Sequence, residues 1–527
     1  MKRVSNRVMN LAHFLEQSAR RLPDSPGLIW GEAEWNWAAL DIRVNAMATI
    51  LADSYGVRKG DRIVVQSPNC NQLLESAFAC WRLGAIWVPA NFRGIPEDLA
   101  WIVESSGASG LIIDADYAGH ASHCADNLQF IISIGTSGFA ADYDTLISDP
   151  AGLTVPLADV EYDDPCWLFY TSGTTGNPKA GVLTHGQMAF VINNHLSDLI
   201  PGTSEQDASI AVAPLSHGAG LHAVLQVARG AATVLPASVR FDAAEIWQLI
   251  ARWRVSNLFT VPTILKMLVE HPAVDQVDHS SLRHVIYAGA PMYRADQLFA
   301  LNKLGPVLVQ YFGLGEVTGA ITVLRPDQHE AGTGAAIREG SCGMARTGMQ
   351  VQVQDDAGQE VAPGNTGEFC VAGPAVFAGY WNNAEANAKA FRNGWFRTGD
   401  VGHMDAEGFF YLTGRQSDMY ISGGSNIYPR EIEEKILLHP AVSEVAIFGL
   451  PDEKWGEVGV AVCVVKSGGE IEPSALRDWL LPKLASYKVP KKFVFWEALP
   501  KSGYGKITKK LVRAEYERRL TGEDADR

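Results

Sequence analysis

Cysteine is scarce and scattered. Seven are present, at positions 70, 80, 124, 166, 342, 370 and 463, an odd number with no CxxC pair, which excludes a disulfide framework, a zinc knuckle and a dithiol redox site and leaves buried reduced thiols as the expectation. Basic residues are outnumbered: 44 Lys and Arg against 59 Asp and Glu leave a net charge of −15, a balance that repels polynucleotides and anionic lipid. Nucleic acid is therefore not an expected partner. Long apolar runs are missing too. The stretches Ala85 to Ala90 and Leu258 to Leu265 fall far short of the ~18 residues that span a bilayer, so no integral membrane segment is expected. Near the N-terminus Lys2, Arg3 and Arg7 lead into no apolar core, because Asn10, His13, Glu16 and Gln17 interrupt it. The last residues, Asp524-Ala525-Asp526-Arg527, carry no lipidation or peroxisomal address, and the cytoplasm is the expected compartment. No GxSxG elbow occurs, which disfavours an esterase of the α/β-hydrolase type, and no heptad run, internal repeat or low-complexity tract is present.

What the chain does have is length and rhythm. Its 527 residues are more than three times the ~150-residue prior for one domain. Short β-branched or aromatic runs (63–65, 86–88, 111–113, 130–133, 210–213, 232–235, 257–260, 284–287) alternate with helical patterns such as Leu73 to Leu83. That alternation reads as α/β with largely parallel, covered sheets. Between about 340 and 413, short strands broken by glycines (Met349 to Val353, Gly367 to Val371, Phe409 to Leu412) indicate an antiparallel meander or small barrel. A third pattern starts near Gly414: strand, helix, two strands, helix, strand, helix, enough to fold as its own unit. Its 18 basic and 17 acidic residues give +1, so the first 413 residues carry −16. Within it, 483–513 holds nine Lys and Arg against Glu497 alone, either a solvated face or a landing surface for an anionic ligand.

The richest stretch is Tyr170-Thr171-Ser172-Gly173-Thr174-Thr175-Gly176-Asn177-Pro178-Lys179, which follows the apolar run Cys166 to Phe169. Glycines let backbone N–H groups turn inward on an oxyanion, hydroxyls add donors, and one lysine supplies a point charge. This is phosphate-cradling chemistry, although the spacing is not that of a Walker A loop.

Thr171 to Lys179 resembles the phosphate loop of the adenylate-forming acyl-CoA synthetase superfamily, which also holds firefly luciferase and the adenylation domains of nonribosomal peptide synthetases. Further motifs follow in that family's order. Ala288-Gly289-Ala290-Pro291 resembles the segment beside adenine. Phe312-Gly313-Leu314-Gly315-Glu316 resembles the element whose ring stacks on adenine and whose carboxylate meets Mg²⁺. It departs twice from the usual pattern: Phe312 replaces a commoner Tyr, and Gly315 stands where Thr usually contacts the α-phosphate. Trp395 to Asp400 resembles the segment whose Asp accepts the ribose hydroxyls, and a carboxylate suits a vicinal diol because it offers two acceptors. Gly414-Arg415-Gln416-Ser417-Asp418 resembles the family hinge, with Arg415 reaching the ribose and Ser417 replacing the usual charged residue. Ser422-Gly423-Gly424 resembles the turn lining the pantetheine tunnel, and Lys506, in Pro500 to Lys509, matches the catalytic lysine. His217 corresponds to a histidine beside the acyl pocket, and Gly218, Ala219 and Gly220 after it imply uncrowded space for a ring or medium chain.

The resemblance implies an α/β fold with a large multi-subdomain N-terminal body, two parallel-type sheets plus a small β-barrel, and a smaller mobile α+β C-terminal domain. The expected bounds are 1–413 for the ATP- and acyl-binding body, 414–418 for the hinge and 419–527 for the lid. It implies an ATP-dependent acid:CoA ligase that forms an acyl-adenylate and then a thioester, with ATP, Mg²⁺ and CoA, acting on a medium-chain fatty or aryl carboxylic acid. The implied catalytic residues are Lys506, Thr175 and Glu316. Thr171, Ser172, Gly173, Thr174, Thr175, Gly176, Lys179, Gly289, Ala290, Pro291, Phe312, Gly313, Asp400, Arg415 and Lys506 would hold ATP. His217 and Gly313 would line the acyl site, Ser422, Gly423 and Gly424 the CoA arm, and Glu316 the metal. A carrier-loading adenylating enzyme and a luciferase-like oxygenase share these motifs and stay open, as does a homodimer.

Overall fold

The computed structural model describes residues 5–171, 177–290, 292–329, 338–466, 468–501 and 507–520. Two sheets organise the first 415 residues. The first has seven strands, in the order Lys179–Thr184, Pro165–Thr171, Ile86–Ala90, Arg62–Gln66, Gly110–Asp114, Phe130–Ile134 and Ala141–Asp142. All neighbours run parallel except the first pair. Central strands read as unbroken apolar runs because helices cover both faces: every residue of Ile86–Ala90 is buried.

The second sheet has a parallel half, Leu308–Phe312, His284–Tyr287, Asn257–Thr260, Ala208–Ala211, Ala232–Leu235 and Pro26–Trp30. Its far edge comes from the beginning of the chain, where the sequence pattern indicates no strand: Pro26–Trp30 pairs antiparallel with the edge strand Ala33–Asn36. At the other edge Thr322–Leu324 pairs antiparallel with Leu308–Phe312 and with Ser341–Ala345. The antiparallel meander expected at 340–413 is there, and one ladder carries it on through Phe409–Arg415, Trp395–Met404, Gly367–Ala372 and Gln350–Gln354.

From Tyr420 a five-stranded sheet forms from Ser425–Ile427, Tyr420–Ser422, Gly456–Val465, Val442–Asp452 and Lys492–Trp496. Alternate residues of Val442–Asp452 serve opposite faces. Val445 and Ile447 pack with Ile432, Ile436, Leu476 and Leu480 of two helices. Ala446 and Phe448 pack with Val512 and Tyr516 of the helix Lys509–Leu520. Neither cluster contains a residue before Tyr420. All seven cysteines are free and buried. Among the described residues no helix is long and apolar enough to cross a membrane.

Candidate active site

The phosphate-loop candidate joins the two antiparallel strands at the edge of the first sheet, where Thr171 and Lys179 face each other as a cross-strand pair. Both loop ends are thereby fixed. Thr171 Oγ1 donates to Glu316 Oε1 at 3.3 Å, and the Tyr380 hydroxyl donates to the same oxygen at 2.8 Å. Glu316 is buried and its Oε2 has no hydrogen bond among the described residues. Lys179 places its ammonium 5.4 Å from the centre of the Tyr380 ring. Burial, then the Glu316 carboxylate, raises the Tyr380 pKa, so the phenol stays a donor. Tyr380 reaches this position because the chain at 378–381 runs beside Lys179–Thr184, with Val182 N–H donating to Gly379 O and Trp381 N–H donating to Ala180 O.

The ribose candidates also meet across a ladder. Asp400 and Arg415 are cross-strand partners, and Arg415 Nε donates to Asp400 Oδ1 at 3.3 Å. The carboxylate is buried, yet Oδ2 has no partner among the described residues. A buried acceptor left alone costs about 1–3 kcal/mol, and a ribose hydroxyl would satisfy it. Desolvation pushes the Asp400 carboxyl up to about 6, against the pull of Arg415 and of Arg430 from the helix Pro429–Leu437. Asp400 raises the Arg415 pKa most, with further contributions from Asp418 and Glu316, so Glu316 beside the phosphate loop and Asp400 share one electrostatic neighbourhood.

The unusual Gly315 has a packing reason. A Cβ there would lie 2.6 Å from Phe169 Cε1 and 2.9 Å from Thr171 Cγ2, so the Phe169 ring fills the space of the missing side chain. The same ring packs against His217, with centroids 4.6 Å apart. Phe312 ends the strand Leu308–Phe312 with its ring edge-on to Phe369. Gly313 lets the chain cross itself, since its Cβ would meet Gly319 Cα at 2.4 Å. Gly289 turns at φ +82° one residue after the strand His284–Tyr287, with Ala290 half-buried beside it.

The expectation of uncrowded space after His217 is corrected. A Cβ on Gly218 would sit 2.9 Å from the Phe259 ring and one on Gly220 2.0 Å from Leu215 O. Ala219 is buried. These small residues seat the helix Gly218–Arg229 tightly on its surroundings and leave no room of their own.

In the C-terminal domain, Gly423 and Gly424 have φ of +57° and +80° and form the two-residue turn of a hairpin that pairs Ser422 with Ser425. Positive φ at both positions is what such turns need, and the sequence reading had missed the second strand. Trp455 lies against Gly423, flanked by Lys454 and Lys491 at 5.2 and 5.7 Å from its ring. Half of the described basic residues in 483–513 are paired within the C-terminal domain: Lys488 with Glu431, Lys501 with Glu444, Lys509 with Glu433 and Arg513 with Glu517. Among the described residues Lys483, Lys491, Lys492 and Lys510 keep no carboxylate partner.

Ser172, Gly173, Thr174, Thr175, Gly176, Pro291 and Lys506 lie outside the described residues. Tyr380, Phe169 and Arg430 were missed by sequence reasoning. Only Phe169 carried a local signal, as the large side chain two residues before Thr171.

The AMP-binding enzyme family model matches residues 15–381, and the model for the AMP-binding enzyme C-terminal domain matches 431–506. The chain belongs to the AMP-binding enzyme family. This AMP-binding enzyme is 36% identical over 513 residues to a feruloyl-CoA synthase from an Amycolatopsis species, covering 97% of the chain and all of the relative. It is 32% identical to an indoleacetate–CoA ligase from Aromatoleum aromaticum, with 96% and 98% covered. Among solved structures, the o-succinylbenzoate CoA synthetase from Bacillus subtilis in complex with its acyl-adenylate intermediate matches with a TM-score of 0.83 at 30% identity, over 96% of this chain and 98% of that one.

Proposed function

We propose that this AMP-binding enzyme is an ATP-dependent acid:CoA ligase acting on an aryl or medium-chain carboxylic acid. The observation that carries this reading is the convergence of the phosphate-loop ends at the edge of the first sheet, the Glu316 carboxylate, and the Asp400–Arg415 pair of the second sheet, whose Asp400 Oδ2 has no partner among the described residues. A carboxylate is a poor electrophile and must be activated before a thiol can displace oxygen from it. In the first step a carboxylate oxygen of the acid attacks the α-phosphorus of ATP, the bond to pyrophosphate breaks, and a mixed anhydride with AMP forms. In the second the CoA thiolate attacks the acyl carbon and AMP leaves.

The residues divide this work. Asp400 accepts from the ribose, Phe312 offers a face to adenine, and the loop from Thr171 to Lys179 holds the phosphates. Lys506 with that loop stabilises the charge that develops during in-line displacement. Mg²⁺ binds through one or two carboxylates together with phosphate oxygens and water, and Glu316, held on one oxygen by Thr171 and Tyr380, fits that role. Bound there, Mg²⁺ would supply neutralisation of phosphate charge. After pyrophosphate leaves, the lid from 419 onward turns about Gln416-Ser417, withdraws Lys506 and brings the Gly423-Gly424 turn to the site. Trp455 with Lys454 and Lys491 would then receive the nucleotide end of CoA. The enzyme would work in the cytoplasm, where ATP and CoA are available.

The test separates the half-reactions. Lys506→Ala should abolish adenylate formation and largely spare thioester formation from preformed acyl-adenylate. Equal loss of both would overturn the two-state assignment of the lid.

A further inference from the structure

Lys506 ends the segment Ser502-Gly503-Tyr504-Gly505-Lys506, whose two glycines give the backbone wide conformational freedom. Where such a segment can hold a side chain depends on what fixes its two ends. Here the residues on either side are fixed by backbone and by packing. Lys501 and Ile507 face each other in an antiparallel bridge, and Leu499 and Ile507 pack with Ala446, Phe448 and Val512 on one face of the C-terminal sheet.

Each end also carries an ion pair, and the two pairs differ in kind. Before the segment, Lys501 Nζ meets Glu444 Oε1 at 2.8 Å, with Lys501 exposed and Glu444 half-buried, a setting in which an ion pair holds little. After it, Lys509 opens the helix Lys509–Leu520 three residues beyond Lys506, and its ammonium lies 2.8 and 3.1 Å from the two oxygens of Glu433. Glu433 is buried on the helix Pro429–Leu437, and its Oε1 also accepts from the Ile447 N–H at 2.8 Å. One carboxylate thereby ties the start of the last helix to an edge strand of the sheet and to a second helix. Charge-assisted bonds of this length are the strong class, and a buried carboxylate deprived of its ammonium is destabilising. Because Lys509 is engaged by both Glu433 oxygens, it serves as a strut rather than as a cation offered to phosphate.

We propose that Glu433 and Lys509 are a positioning pair for Lys506: they fix the C-terminal end of its segment so that the Lys506 ammonium meets the charge developing during adenylate formation, and they take no part in the thioester step. This rests on the assignment of Lys506 to the first half-reaction and adds the residues that hold it there. A reacting group displaced by about 1 Å can lose on the order of a hundredfold in rate.

The experiment uses the full-length enzyme with cinnamic and octanoic acids and their preformed adenylates. Glu433→Gln keeps an acceptor for Ile447 and removes the charge that holds Lys509. It should lower kcat for acid-dependent ATP–pyrophosphate exchange at least tenfold, leave KM for ATP within twofold, and leave thioester formation from preformed adenylate and CoA within threefold. Lys509→Met should match it in all three, whereas Lys509→Arg, which keeps the charge, should retain exchange within threefold. Lys509 is only half-buried, so its two variants decide the matter if Glu433→Gln does not fold. Unchanged exchange in both charge-removing variants, equal loss in both half-reactions, a rise in KM for ATP confined to Lys509→Met, or an arginine variant as impaired as the methionine one overturns the positioning role. Lys506→Ala in the same assays tests the assignment beneath it: if that variant keeps exchange, the role of Lys506 fails and the inference with it. No exchange by the parent enzyme with these acids or a wider panel overturns the ligase reading itself.

Discussion

Replacing Gly315 with threonine, the residue commoner in this element, should damage this enzyme. The structure puts a number on the perturbation: the first added carbon would lie 2.6 and 2.7 Å from Phe169 Cε1 and Cδ1 and 2.9 Å from Thr171 Cγ2. Separations this short sit on the repulsive wall, and the ring cannot swing freely, since it is buried with Trp167 at 5.7 Å and His217 at 4.6 Å between centroids. Overpacking of a filled site typically costs about 1–3 kcal/mol. The displaced groups are the hydroxyl donor to Glu316 and the ring beside His217, so activity should fall as well. At 1.4 kcal/mol per decade, Gly315→Ala is expected to lose about tenfold and Gly315→Thr about a hundredfold in acid-dependent ATP–pyrophosphate exchange. Urea unfolding followed by tryptophan fluorescence should show a lower midpoint for both. The decisive sample is Phe169→Leu with Gly315→Ala: with the ring removed the methyl has room, so the pair should lose at least 1 kcal/mol less than the summed single losses. Strict additivity, or a Gly315→Thr enzyme as stable and active as the parent, would refute the packing explanation.

The shared oxygen of Glu316 predicts that Tyr380→Phe, which deletes one hydrogen bond to a charged acceptor, lowers exchange by about 1.5–3 kcal/mol, roughly 10- to 150-fold, with little change in unfolding; an unaffected rate would remove Tyr380 from the site. Asp400 sets a pH dependence. Its folded pKa of about 6 lies above the ordinary 3.8, so the fold holds the proton more tightly than the unfolded chain does. Stability of the nucleotide-free enzyme therefore declines as pH rises from about 4 through 6, by on the order of 3 kcal/mol, while KM for ATP rises as pH falls below about 6. Asp400→Asn should remove both trends, with unfolding at pH 7.5 unchanged or later and KM for ATP at least tenfold higher; a destabilised variant with normal ATP affinity would contradict this.

Much of the architecture was legible because its signals are local. Ile63 to Val65, Ile86 to Val88 and Leu111 to Ile113 are apolar runs that only buried parallel strands explain, and glycine spacing announced the meander after 340. The phosphate loop was legible because one short segment concentrates its donors. Contacts between distant segments were not. Nothing near Tyr380 shows that it faces a carboxylate 64 residues earlier. Gly315 looked like a lost hydrogen bond until Phe169, 146 positions away, was seen filling its space. Gly218 and Gly220 illustrate the converse error: a glycine reports that a side chain is excluded, and only tertiary structure says whether ligand space or another residue excludes it. The basic run at 483–513 left a solvated face and an anion surface equally open, because Glu431, Glu433 and Glu444, which pair with three of its lysines, come from elsewhere in the C-terminal domain.

The central claim is that the acid is activated on the α-phosphate of ATP before any thiol is involved. Exchange of labelled pyrophosphate into ATP, measured without CoA and across short, medium, long and aryl acids, tests it directly. The expected result is exchange that requires the acid and Mg²⁺, proceeds without CoA, and is followed by equal amounts of AMP and acyl-CoA once CoA is added. Acid-independent exchange, or ADP and phosphate as the products, would contradict it.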